Sequence, residues 1–81
     1  MIKKILVANR GEIAMRIFRT CRVMNITTVA VYTHVDRGAL HVRYAEEAYC
    51  ISESQEDTSY LKPELILSIA KETGAAIHPG Y

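Results

Sequence analysis

Apolar positions along this chain alternate between two rhythms. Lys4-Ile5-Leu6-Val7-Ala8 is a short apolar run without helical period, the pattern of a strand covered on both faces of a parallel sheet. Ile13, Ile17, Cys21 and Met24 then recur at spacings of four, four and three, with Ala14 and Phe18 beside them, which predicts a helix with one apolar face. Asn9 ahead of it can cap, and Glu12 three residues on completes a capping-box-like pair. Thr28 to Tyr32 is β-branched and aromatic and reads as a second strand. Asp36-Arg37-Gly38 breaks the pattern and can cap a short helix from Ala39 to Ala45. Ala48 to Ile51 reads as a third strand and Ser52 to Ser59 as a polar loop. Pro63 opens a helix with Leu65, Ile66, Ile69 and Ala70 on one face, and Gly74 stops it. Ala75-Ala76-Ile77 is a fourth strand, followed at once by His78-Pro79-Gly80-Tyr81.

The order β-α-β-α-β-α-β, with right-handed crossovers, gives an α/β fold: a parallel four-stranded sheet with helices on both faces. It is similar to half of a doubly wound, Rossmann-like nucleotide-binding fold. With 81 residues and no repeat, linker or low-complexity tract, residues 1–81 form one small domain that hides roughly 60% of its unfolded surface. Ligands of open α/β sheets gather beyond the carboxyl ends of the strands, where Pro79-Gly80-Tyr81 lies. The domain is therefore expected to be incomplete, truncated at its C-terminal end and excised from a larger protein.

Composition narrows the function. Apolar residues make up 49% of the chain, which suits a packed domain, and the net charge of +1 supplies no general field for nucleic acid or an anionic membrane. The charge is uneven: residues 1–45 stand at +6 and residues 46–81 at −5. Arg16, Arg19 and Arg22 step around one side of the first helix, with Glu12 placed to pair with Arg16. Solvation is the default reading of such a face, and a subunit or domain contact the next. Cys21 and Cys50 sit in apolar runs without C-x-x-C spacing, and His34, His41 and His78 are too scattered for a metal site. A reducing, cytoplasmic compartment follows as the expectation.

The strand-to-helix turn Ala8-Asn9-Arg10-Gly11-Glu12 holds a single glycine, and neither G-x-G-x-x-G nor the Walker loop is present. Glu12 would also repel an anion at the helix start, so this turn reads as capping rather than phosphate binding. Asp36 is read as a helix cap, and His34 and His41 as partly exposed. Pro79 and Gly80 make a sharp turn, and a Tyr81 exposed after the strand suits a ligand site or a plain structural turn equally.

Taken in series, these segments resemble the amino-terminal part of biotin carboxylase, the component that begins acetyl-CoA, propionyl-CoA and pyruvate carboxylases. Ile5-Leu-Val-Ala-Asn-Arg-Gly-Glu-Ile-Ala14 matches the family's opening signature. Thr28-Val-Ala-Val-Tyr32, Asp36-Arg37 with His41-Val42, Ala45-Glu-Glu-Ala48 with Cys50-Ile51, Ser59-Tyr-Leu61 and Ala76-Ile-His-Pro-Gly-Tyr81 follow in family order. The resemblance spans the chain. Two departures stand out: Ser52-Glu53 replaces the usual Gly-Pro after the third strand, and Thr73 to Ile77 is one residue shorter than usual.

The resemblance implies a pre-ATP-grasp domain of an ATP-grasp ligase. In that family ATP and Mg2+ activate bicarbonate, and the CO2 passes to biotin on a carrier protein. The phosphate-holding lysines, metal-binding carboxylates and the base lie in later ATP-grasp and C-terminal domains, so this chain is expected to hold no catalytic or metal-ligating residue, to bind no cofactor alone and to be inactive in isolation. By the same resemblance Tyr81 would line the biotin and bicarbonate pocket, Gly80 would supply its turn, and Arg16 and Arg19 would lie on the helix that meets a second subunit in a homodimer. The alternative is a stand-alone binding or interaction module that reuses the pre-ATP-grasp fold, with the Arg face as its contact.

Overall fold

The computed structural model describes all 81 residues. Its elements are β1 (Lys4–Val7), α1 (Gly11–Val23), β2 (Thr27–Tyr32), a 3-10 turn (His34–Asp36), α2 (Leu40–Tyr44), β3 (Glu47–Cys50), α3 (Pro63–Thr73) and β4 (Ala76–His78). All three strand pairings are parallel, in the order β3-β2-β1-β4. The most apolar strands, β1 and β2, take the centre, because only there are both faces covered.

Strand alternation sorts the core into two layers. Leu6, Val29 and Val31 point to one face, where they pack with Ile51 and with Ile66 and Ala70 of α3. Val7 and Ala30 point to the other and pack with Ala14 and Phe18 of α1, with Tyr44 of α2 alongside. The register Leu6↔Val29, Val7↔Ala30 keeps each set on its own side. Across β2, the Lys4 ammonium reaches the Glu47 carboxylate at 2.7 Å and ties the sheet's amino ends.

Several local expectations need correction. The capping box at Asn9 and Glu12 does not form: Arg10, in extended conformation, is the N-cap residue of α1 without a side-chain cap. Gly11 follows at φ +63°, and the two side chains are used elsewhere: Asn9 folds toward the Pro79 carbonyl, and Glu12 accepts from Arg19 at 2.6 Å rather than from Arg16. The apolar stripe of α1 is rotated. Ala14, Met15, Phe18 and Cys21 are buried, whereas Ile13 and Met24 are exposed. In α3, Ile66 and Ala70 are buried but Leu65 lies at the margin. Strands β3 and β4 are displaced by one residue from the expected Ala48–Ile51 and Ala75–Ile77. Gly74 does stop α3, as a left-handed C-cap at φ +76°. No helix is long and apolar enough to cross a membrane.

Candidate functional site

Parallel strands deliver all their following loops to one end, and here three of them meet in a single hydrogen-bonded network. Arg10, after β1, donates to Asp36 through Nε at 2.5 Å and Nη2 at 2.6 Å, a two-pronged ion pair. Tyr60, from the loop after β3, donates its hydroxyl to Asp36 Oδ2 at 2.6 Å and accepts from the Thr33 backbone N–H at 3.3 Å. The reading of Asp36 as a helix cap is overturned: Ala39 is the N-cap residue of α2, and the buried Asp36 carboxylate is taken by Arg10, the charged partner that burial demands. Hydrogen bonding to Arg10 holds the Asp36 carboxyl down at about 2, against the opposing effect of burial and with help from Tyr60. Burial, followed by the bond to Asp36, pushes the Tyr60 hydroxyl up.

His41 also departs from its reading as partly exposed. It is 1% exposed, its Nε2 lies 3.3 Å from the Val31 carbonyl, and its Nδ1 has no partner. Burial lowers its pKa below the ordinary 6.5. His34 is half-buried, its N–H donating to Ser52 Oγ at 2.9 Å. Ser52 donates in turn to the Asp57 carbonyl at 2.8 Å. Ser52 thus joins the loops after β2 and β3 through its hydroxyl.

The turn after β4 reaches the same end of the sheet. The Ala8 N–H donates to the His78 carbonyl at 2.9 Å, extending the β1–β4 ladder up to Pro79. Gly80 follows at φ +95°, buried, with its N–H donating to His78 Nδ1 at 2.9 Å. Only glycine fits. Besides the left-handed φ, a methyl group on its Cα would lie 2.6 Å from both Cβ and Nδ2 of Asn9. Tyr81 is 99% exposed at the mouth of an apolar cleft of about 450 Å³, bounded by Tyr60, Pro63 and Leu67 on one side and Ile77 and Pro79 on the other.

The structure therefore brings Gly80 and Tyr81 to the carboxyl end of the sheet beside the Arg10–Asp36–Tyr60 network. Arg16 and Arg19 lie apart, exposed on α1, Arg19 paired with Glu12. Arg22 stacks over the Tyr44 ring at 4.2 Å and belongs to the α1–α2 contact. Sequence reasoning missed Arg10, Tyr60 and Asn9 as members of the carboxyl-end site. The signal for Arg10 was available: an unpaired arginine directly after a strand, at the end where the other loops converge.

No group of three or more His, Cys, Asp or Glu side chains is placed to hold a metal ion. Asp36 and Asp57, both held down by their cationic partners, are already committed, Asp36 to Arg10 and Asp57 to Lys62. These residues do not fit a magnesium-nucleotide site. What they build is a hydrogen-bonded rim beside an exposed tyrosine.

Against this geometry, the sequence model of the family "Biotin carboxylase, N-terminal domain" matches residues 1–81. The chain belongs to the biotin carboxylase N-terminal domain family. Biotin carboxylase 1 of Bacillus subtilis is 58% identical over 82 aligned positions, covering 100% of this chain and 18% of that protein. The mitochondrial propionyl-CoA carboxylase alpha chain of Caenorhabditis elegans is 53% identical, covering 96% of the chain and 11% of that protein. Among solved structures, the biotin carboxylase domain dimer of Hydrogenobacter thermophilus 2-oxoglutarate carboxylase, in complex with MgADP, ADP and bicarbonate, superposes with a TM-score of 0.90 at 54% identity. It too is covered only to 18%, against 100% of this chain. The chain thus spans less than a fifth of these relatives' length, and its parallel α/β architecture is shared with the solved structure.

Proposed function

We propose that residues 1–81 serve as the leading, pre-ATP-grasp domain of a biotin carboxylase, a ligase that uses ATP, Mg2+ and bicarbonate to carboxylate biotin on a carrier protein. The observation that carries this reading is the match over the whole chain, at 58% identity, to a biotin carboxylase. The chemistry of the domain's own residues is consistent with it: they are committed to one another and supply shape rather than a reactive group. When bound by the whole enzyme, ATP with its metal supplies the driving force for bicarbonate activation. This domain's part is to hold the Pro79-Gly80-Tyr81 turn at the rim of the biotin and bicarbonate pocket, with Tyr81 offering an aromatic face and a hydroxyl, and Gly80 the turn.

The remaining ATP-grasp and C-terminal domains are its partners within the polypeptide, the biotin carrier protein its partner outside, and a second copy meets it through the α1 face bearing Arg16 and Arg19. A cytoplasmic setting fits the two free cysteines. The test is transfer of isotope from labelled bicarbonate to biotin by the native polypeptide that carries these residues. ATP-dependent label on biotin is expected, and none would overturn the reading.

A further inference from the structure

The apolar grooves beside β4 and the exposed faces of α1 and α3 are surfaces whose cover the structure does not identify, and Cys21 is a lone buried thiol. The close contact between the loops after β1 and β4 is different, because it links a residue without an assigned role to the proposed pocket tyrosine. Asn9 Oδ1 accepts from the Arg10 N–H at 2.8 Å, which fixes the amide orientation and turns Nδ2 toward the Pro79 carbonyl, 3.4 Å away. Its Cβ and Nδ2 also occupy the space that any side chain at position 80 would need.

The Pro79–Tyr81 turn is thereby held from two directions. From within, the Gly80 N–H is bound by His78 Nδ1, and from the β1 loop, the Asn9 amide fills the hollow under the Gly80 Cα. Asn9 itself sits on a loop braced by Arg10, whose guanidinium is locked to Asp36. We propose that Asn9 is a positioning residue that sets the direction of Tyr81, and so the recognition of biotin, by wedging under Gly80 and donating to the Pro79 carbonyl. This rests on the assignment of Tyr81 to the biotin pocket. Asn9 touches no substrate in this scheme and acts through the turn.

Asn9→Asp is the sharpest probe. It preserves the volume and the acceptor for the Arg10 N–H but sets an acceptor against the Pro79 carbonyl. In the full-length enzyme, assayed with free biotin, it is expected to raise the KM for biotin roughly three- to tenfold, the effect of one lost hydrogen bond, and to leave the KM for ATP unmoved. Asn9→Ala removes the amide without that clash of acceptors and is expected to act in the same direction. A coupled pair gives a second readout. Gly80→Ala should impair biotin use severely, and Asn9→Gly in the same chain should recover part of the loss by vacating the hollow. Tyr81→Ala, run in parallel, separates the two levels of the argument. If it raises the biotin KM while both Asn9 variants leave it at the parent value, the positioning role of Asn9 is wrong and the pocket assignment stands. If Tyr81→Ala leaves the biotin KM unchanged, the pocket assignment falls and takes the role of Asn9 with it.

Discussion

Asp36 shows how a single buried charge organises the carboxyl end of the sheet. The loops after β1 and β3 converge on its two oxygens through Arg10 and Tyr60, and Asp36→Asn weakens the bonds to both. Because Arg10 remains about half exposed and can rehydrate, the loss should be about 2 kcal/mol, near 10 °C in the melting temperature of a domain this size. Its pKa of about 2 lies below the ordinary 3.8, so Asp36 contributes stability above pH 3.8 and that contribution disappears as pH falls toward 2. His41 acts earlier on the pH scale. Its folded pKa is lowered, so the unfolded chain takes up the proton first and stability declines as pH falls through the ordinary 6.5. Melting temperature measured from pH 8 to pH 5 should decline below about 6.5, and His41→Leu should flatten that decline. An equal decline in the variant would show that another group is responsible. Neither role could be read from sequence. Arg10, Asp36 and Tyr60 are more than twenty residues apart, and only the parallel topology brings them into contact.

At the scale of elements, the helices and strands were legible because their apolar periods differ, 3.6 against continuous runs, and because Pro63 and Gly74 punctuate α3 at its ends. What periodicity leaves open is how each helix is rotated on the sheet. In α1 the apolar stripe is broad enough to allow more than one orientation, and docking chose the one that sets small Ala14 and large Phe18 against Val7 and Ala30, leaving Ile13 and Met24 outside. The difference is measurable. Phe18→Ala removes a ring that is 0% exposed and should cost about 3–5 kcal/mol, enough to unfold most of a small domain's population, whereas Ile13→Gln should stay within about 0.5 kcal/mol of the parent. Chemical denaturation of the two variants checks the rotation, and equal losses would contradict it. Strand ends were less legible still. Glu47 opens β3 despite its charge because Lys4, two strands away, neutralises it.

For the whole molecule, the proposed assembly makes the exposed arginines of α1 a contact and the carboxyl-end rim a pocket wall. Arg16→Glu with Arg19→Glu in the native polypeptide should weaken self-association, since each change reverses a charge and the second also sets two carboxylates together at Glu12. A mass that stays constant on dilution in light scattering would remove these residues from the interface. The central claim is that this domain contributes scaffold and rim while the reacting groups belong to the rest of the enzyme. Its most direct test is ATP cleavage dependent on bicarbonate and stimulated by free biotin, measured for the native polypeptide and for the 81-residue chain side by side. The account predicts turnover by the native polypeptide and none above blank by the 81-residue chain. Turnover by the short chain that survives repurification, or its absence from the native polypeptide, would contradict it.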